Sequence, residues 1–290
     1  MKDFAGKVAV ITGAGSGFGL EFARLGAREG MRLLLADVQQ DALDLAVAEA
    51  RARGAEAIGV RADVSKAEDV DRAAAEAKSA FGAVHLLFNN AGVAGGGGYL
   101  WESSLKDWKW ILGVNLMGVV HGIRSFVPLL LEHGGEGHVV NTASAAGLVS
   151  SPLMGAYNAS KHAVVTLSET LHHELRLANA RIGVSVLCPA YVPTGISSSE
   201  RNRPPELVED APPTESQLAA RRRSEKAVSS GKVSAADVAR LTFDAIREDR
   251  FYVIMHPKLL PTVELRLRDV VEQRGPSDPY TYRPDLKQQT

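Results

Sequence analysis

Two constellations in this chain combine residue types and spacings that suit chemistry. The first is "AYNASKHAV", residues 156–164, which sets Tyr157 and Lys161 four positions apart. On a helix, positions i and i+4 share a face, so a phenol and an ammonium would stand one turn from each other. By itself that spacing also describes an ordinary surface pair. The second is "TGAGSGFGL", with glycines at 13, 15, 17 and 19. A glycine-rich turn between a strand and a helix lets backbone N–H groups and the helix N-terminus meet a pyrophosphate, because no Cβ intervenes. A strict G-x-G-x-x-G fails here: from Gly13 and Gly15 the third place is Phe18, and from Gly15 and Gly17 it is Leu20. The spacing that fits is T-G-x-x-x-G-x-G, on Thr12, Gly13, Gly17 and Gly19.

Asp37 closes the next apolar run. A carboxylate there can accept hydrogen bonds from the adenosine ribose hydroxyls of a dinucleotide, and it would repel a 2′-phosphate. The neighbouring positions offer no cation, since Ser16 lies inside the loop and Val38 follows the aspartate. Both observations favour NAD over NADP. Arg61 is the nearby cation that weighs against that preference.

The elements that must position these residues are legible as alternating apolar runs and helical patterns. "KVAVITG" (7–13) reads as a buried strand, and 17–30 as a helix. Strands follow at 31–37, within 55–64, and at 85–92, 137–144, 182–190 and 251–256, with helices near 39–53, 66–81, 103–132 and 153–179 between them. The strands are almost continuously apolar, as in a parallel sheet covered on both faces. The expected fold is therefore α/β, a three-layer doubly wound Rossmann arrangement with a seven-stranded parallel sheet in the order 3-2-1-4-5-6-7. Ligands of such sheets bind beyond the carboxyl ends of the strands, where the strand order reverses. The glycine loop, Asp37 and Ser144 all fall at such ends.

The chain reads as one domain over 1–290. Residues 193–233 break the rhythm with Pro204, Pro205, Pro212, Pro213 and the basic run Arg221–Arg223. A loop of this length is expected to be a substrate lid. Ser234 to Asp237 is a capping-box start for the helix that follows. Residues 257–290 form a polar C-terminal extension, packed on a neighbouring subunit or, over its final ten residues, a mobile tail. Gly95–Gly98, before Tyr99, Leu100 and Trp101, reads as an edge of the substrate pocket or as a plain loop.

Composition narrows the function classes. A net charge of -1 gives no reason to expect nucleic acid or an anionic membrane as partner. The one cysteine, Cys188, lies in "VSVLCPA" and reads as a core residue, with no intrachain disulfide and no cysteine cluster for zinc possible. None of the eight histidines has metal-like spacing: His121, His133 and His138 lack carboxylates at ligand spacing, His162 reads as packing, and the adjacent His172 and His173 are expected to point apart. No metal site is expected. No apolar run approaches the ~18 residues of a membrane span, and the N-terminus lacks a signal peptide, so a cytoplasmic protein is expected.

Taken together, "TGAGSGFG", Asp63 with Val64, "NNAG" (89–92), Asn115 in "GVNLMG", Ser144 in "TASAAG", "YNASK" (157–161) and "CPAYVPT" (188–194) make the chain resemble the short-chain dehydrogenase/reductase family from about residue 5 to 196. The resemblance implies a Tyr157 acid/base, with Lys161 and the nicotinamide ring lowering its pKa and Lys161 also binding the nicotinamide ribose. It implies that Ser144 holds the substrate oxygen and that Asn115 holds a water in a proton relay. It places Gly13, Ser16, Gly17, Phe18, Gly19, Asp37, Val38, Asp63, Val64, Asn90, Gly92, Val192 and Thr194 along the cofactor. One departure is Pro189-Ala190, where the family commonly has Pro-Gly.

The reading that follows is an NAD-dependent oxidoreductase interconverting a secondary alcohol and a ketone or aldehyde. Its small-molecule substrate would occupy a mostly apolar pocket near Ala145, Leu153, Met154 and Tyr191. By the same resemblance the protein is a homo-oligomer, tetramer or dimer, joined through the helices around 103–132 and 153–179. Alternatives are a non-catalytic dinucleotide-binding regulator, an NADP-preferring carbonyl reductase, and an epimerase or dehydratase of related fold.

Overall fold

The structure, a computed structural model, describes residues 1–282. Seven strands form one parallel sheet in the order β3-β2-β1-β4-β5-β6-β7, as expected: β1 Val8–Thr12, β2 Arg32–Asp37, β3 Ala57–Arg61, β4 Leu86–Asn89, β5 Gly137–Thr142, β6 Ile182–Leu187 and β7 Tyr252–Val253. Successive side chains of a strand point to opposite faces, and here both faces are apolar. Ala9, Ile11, Leu33, Leu35 and Phe88 point into a core shared with Phe22 of α1 (Gly17–Arg28) and Phe243 of α8 (Ala235–Arg247). That layer also takes α2 (Gln40–Ala52). Val8, Val10, Leu34 and Leu87 point the other way, against Phe81 of α3 (Ala67–Phe81) and Phe126 of α5 (Gly118–His133). The strand order reverses between β1 and β4, so the carboxyl ends of these two strands open the crevice that ligands of such sheets use.

The helix expected around 103–132 is two helices, α4 (Leu105–Leu112) and α5, joined by a π-helical turn at Gly113–Met117. Their continuous run Leu105–His133 is long and apolar enough to cross a membrane by length and composition, contrary to the expectation that no run would be. The same apolar residues are accounted for by packing: Phe126, Val127 and Leu130 are buried under the sheet. The helix near 153–179 is α6 (Gly155–Leu177).

Two further helices complete the described residues. The stretch 193–233, expected as a loop, carries short 3₁₀ turns and then α7 (Glu215–Ser229). Its start is written in the sequence as a second capping box: Thr214 accepts from the Gln217 backbone N–H while the Gln217 side chain accepts from that of Thr214. The box at Ser234 and Asp237 is present as expected. After β7 comes α9 (Leu260–Val271). The extension beyond it turns back onto its own chain, and Tyr280 is only 7% exposed. Residues 283–290 of the expected tail lie outside the described residues.

Two buried imidazoles tie stability to pH. His85 accepts the Val8 backbone N–H at Nδ1 (3.1 Å), and burial, helped by His133, Lys7 and Arg32, lowers its pKa from 6.5 to about 4. Burial lowers that of His138 to about 3. The unfolded chain takes up these protons near its ordinary imidazole pKa and the folded chain does not. Their contribution is therefore complete above about pH 6.5 and is lost as pH falls through the folded values, with a slope of up to one proton per histidine. The melting temperature is expected to fall between pH 7 and pH 5. His85→Asn, whose amide oxygen can still accept from Val8, should make that fall shallower. A melting temperature flat over this range would contradict the assignment.

Candidate active site

One cavity of about 860 Å³ lies at the carboxyl ends of the strands. It brings together Gly13, Ser16, Gly17, Phe18, Asp37, Val38, Asp63, Val64, Asn90, Gly92, Ser144, Tyr157, Lys161, Val192 and Thr194. Of the residues expected in the catalytic and cofactor-binding sets, Gly19 and Asn115 do not line it.

The glycine loop is held by its neighbours. Asp37 Oδ2 accepts from the Gly15 backbone N–H (2.8 Å) and Oδ1 from that of Gln39 (3.0 Å), so the carboxylate fixes the loop as well as facing the cavity. The Asn90 side chain donates to the Thr12 carbonyl (2.9 Å), and the Thr12 hydroxyl accepts from the Asn90 backbone N–H (2.9 Å). A Cβ at Gly19 would lie 2.1 Å from the Gly13 carbonyl oxygen, which is why only glycine fits there. Ser16 makes no side-chain cap at the start of α1, so no side chain competes for the first N–H groups of that helix. A Cβ at Gly17 would face the Thr194 side chain at 3.5 Å across the cleft. This uncapped helix start, open between the glycine loop and Thr194, fits a dinucleotide pyrophosphate.

At the other group of residues, Tyr157 and Lys161 sit in the first turns of α6. Lys161 is buried, its Nζ donates to the Thr142 carbonyl (2.9 Å), and it lies 5.7 Å from the Tyr157 ring centroid. Burial lowers its pKa to about 8. Burial raises that of Tyr157, Tyr191 adds to the rise, and the Ser144 hydroxyl pulls the other way. In the surroundings that the protein itself supplies, burial outweighs the influences that lower the phenol. Lys161 sits at the ring face with its charge directed to a carbonyl, and loss of hydration dominates the phenol.

Asn115 occupies the π-helical turn and is fully buried. Its Oδ1 accepts from the Val93 backbone N–H (2.8 Å), and its Nδ2 donates to the Val93 carbonyl (3.0 Å) and to the Ser160 hydroxyl (3.2 Å). Both amide protons are spent on the protein, so a water beside it would need its main chain or Oδ1. The side chain ties the end of β4 to α6, and a Cβ at Gly92 would lie 3.4 Å from its Oδ1 and 3.6 Å from Lys161 Nζ.

Other site residues carried little signal in the sequence. Arg201 lines the cavity and donates to Gln39 Oε1 (3.3 Å) and to the Ser198 carbonyl (2.7 Å), while Arg61 is not in the wall. Arg203, 5% exposed at its side chain, pairs with Asp107 at 2.5 Å and lies 4.3 Å over the Trp110 ring. The Gly95–Gly98 tract is the seat of α7: Gly97 has φ +70°, and a Cβ there would lie 2.7 Å from Ala220 Cβ. Only a residue that tolerates positive φ and has no side chain meets both demands. His172 and His173, expected to point apart, have ring centroids 5.5 Å apart. Cys188 is a buried core residue, as expected.

The family model described as short chain dehydrogenase matches residues 7–205. This chain belongs to the short-chain dehydrogenase family. It shares the oxidoreductase character and NAD(P)-binding Rossmann fold of that family. A short-chain dehydrogenase/reductase from Burkholderia phymatum, solved in complex with NAD, is 59% identical with a TM-score of 0.94, covering 96% of this chain and 99% of that one. A "CLA biosynthesis dehydrogenase/reductase" of Lactiplantibacillus plantarum is 36% identical, covering 95% of this chain and 97% of its own length. The "1-deoxy-11-beta-hydroxypentalenate dehydrogenase" of Streptomyces exfoliatus is 38% identical over 91% of this chain and 86% of its own.

Proposed function

We propose that this short-chain dehydrogenase is an NAD-preferring enzyme that interconverts a secondary alcohol and a ketone, with Tyr157 as the acid/base. The observation that carries the reading is the meeting of Ser144, Tyr157 and Lys161 in one cavity with the uncapped start of α1. When bound, the nicotinamide supplies or receives the hydride. In oxidation the Tyr157 oxygen takes the alcohol proton, and in reduction it returns one to the carbonyl oxygen. The Ser144 hydroxyl holds that oxygen beside the phenol and stabilises charge developing on it. Burial leaves the phenol protonated on its own, which suits the acid role; as a base it needs the positive charge of the oxidised cofactor beside it. Residues 193–233, with α7, act as the lid over the substrate, supported by Ala220, Arg223 and Ala227 in the cavity wall.

The preference for NAD rests on Asp37, whose carboxylate lines the cavity beside Val38. A reading that prefers NADP is favoured by Arg201, the cation near Gln39, but its donors are directed at Gln39 and at the carbonyls of Gly195 and Ser198. The Asp37 carboxylate supports the NAD reading. NADH is expected to outperform NADPH in kcat/KM by about tenfold or more, because like charges in a partly buried site cost several kcal/mol. Asp37→Asn, which keeps an acceptor for the loop and removes the charge, should narrow the gap. Equal use of both cofactors by the native enzyme would overturn the preference. Absence of NADH-linked turnover across a broad panel of alcohols and ketones, with NADH bound, would instead favour a non-catalytic regulator.

A further inference from the structure

The glycine loop and the first part of the lid face each other across the cofactor end of the cavity, and from the lid Arg201 reaches over the cleft. Its Nη1 donates to the carbonyls of Gly195 (3.2 Å) and Ser198 (2.7 Å). Its Nε donates to Gln39 Oε1 (3.3 Å), 162 positions earlier in the chain. The third nitrogen, Nη2, has no hydrogen-bond partner among the described residues and lies beside Gly195, where a Cβ would be 3.5 Å from it. Gly195 follows Thr194, the residue that faces the start of α1 at Gly17. Gln39 precedes α2, and its backbone N–H donates to the Asp37 carboxylate. The guanidinium is thus strung between neighbours of the expected pyrophosphate site and of the expected adenosine ribose.

The segment that carries Arg201 is fixed on both sides. Two residues before it, Ser199 is buried, and its hydroxyl accepts the Ala94 backbone N–H (3.0 Å). Two residues after it, the buried Arg203 side chain spends its donors on Glu200, on the Leu207 carbonyl and on Asp107 of α4, while stacking on Trp110. Two arginines of one short stretch therefore differ in their partners. Arg203 is neutralised by two carboxylates. Arg201 bonds to two carbonyls and an amide, all uncharged, and makes no ion pair among the described residues. Asp37, the acid at this end, already accepts two backbone N–H groups. The uncapped start of α1 adds partial positive charge to that of the guanidinium, so this end of the cleft favours an anion.

We propose that Arg201 is a cofactor-binding residue, whose Nη2 donates to a pyrophosphate oxygen of the dinucleotide, so that the lid as well as the glycine loop holds the cofactor. A guanidinium suits this task because its charge is permanent and its donors are fixed in one plane. Gln39 and the two carbonyls hold that plane in place beforehand, so little side-chain freedom is lost on binding. This rests on the dinucleotide reading of the cleft and is independent of which alcohol or ketone reacts at Tyr157.

The test is calorimetric titration of NADH, NADPH, ADP and adenosine into the native protein, Arg201→Gln and Arg201→Lys. Arg201→Gln should weaken NADH and ADP by about ten- to a hundredfold, as loss of a charge-assisted hydrogen bond allows, and leave adenosine unchanged. Arg201→Lys, which keeps the charge and loses the fork, should keep part of the affinity. Added salt should weaken ADP more in the native protein than in Arg201→Gln. Native NADH and ADP affinities in Arg201→Gln overturn the proposal. An equal loss for adenosine overturns it too, because the residue would then serve the nucleoside, and so does a loss confined to NADPH, which would assign it to a 2′-phosphate. If ADP binding depends on Arg201 while no alcohol or ketone is turned over, the redox reading fails and this assignment stands. If ketones are reduced with NADH and Arg201→Gln binds NADH as the native protein does, the Arg201 assignment fails alone.

Discussion

Tyr157→Phe is expected to lower turnover in both directions by about 10²–10⁴-fold, the usual contribution of a positioned general acid/base. The change removes one oxygen from a ring otherwise preserved, so it opens no cavity. Lys161 keeps its bond to the Thr142 carbonyl, and the Asn115 side chain keeps its three partners on Val93 and Ser160, because none of these contacts uses the phenol. Cofactor binding and the melting temperature should therefore stay close to native while kcat collapses. The measurement is steady-state kinetics with the best available alcohol or ketone, beside a fluorescence titration with NADH. Native-like kcat in Tyr157→Phe would remove the acid/base assignment. Loss of NADH binding along with kcat would mean that the phenol shapes the cofactor site instead.

The second large effect concerns Gly19. Helix propensity alone says that alanine should stabilise α1 here by roughly 1 kcal/mol. Packing says the reverse: the added Cβ would lie 2.1 Å from the Gly13 carbonyl oxygen, 2.7 Å from the Gly13 carbonyl carbon and 2.8 Å from Asn90 Nδ2. These are backbone atoms and a hydrogen-bonded amide, so relief requires moving the loop or the helix start. Overpacking of this kind costs about 1–3 kcal/mol, which outweighs the propensity gain. Gly19→Ala is expected to melt several degrees lower and to bind NADH at least about tenfold more weakly, since the shift falls on the turn that faces the cofactor. A Gly19→Ala protein with native melting temperature and native NADH affinity would show that the loop has slack the contacts deny.

The local motifs were legible because each is short and its physics is local. A glycine spacing, a strand ending in Asp37 and a Tyr–Lys pair at helical separation can be recognised without knowing what lies across the molecule. Their joint placement was legible through resemblance, which supplied an order of motifs that periodicity alone does not. Within 193–233 the prolines drew attention and hid the helix, although Thr214 and Gln217 carry the same start signal that was read at Ser234 and Asp237. The protonation balance at Tyr157 was not legible. It depends on how deeply the ring is buried and on where the Lys161 charge is directed, and a sequence fixes neither.

By itself, the sequence determined the alternation of strands and helices, the glycine loop at the first strand end and the helical spacing of Tyr157 and Lys161, the pair proposed for acid/base chemistry. These follow from periodicity, backbone freedom and side-chain type over a few residues. The tertiary structure alone decided that Arg203 would be neutralised by Asp107, 96 positions earlier, and that Tyr280 would reach back to Arg223. Such pairings have no periodic trace, because they are set by where whole elements pack and by the cost of leaving a buried charge without a partner.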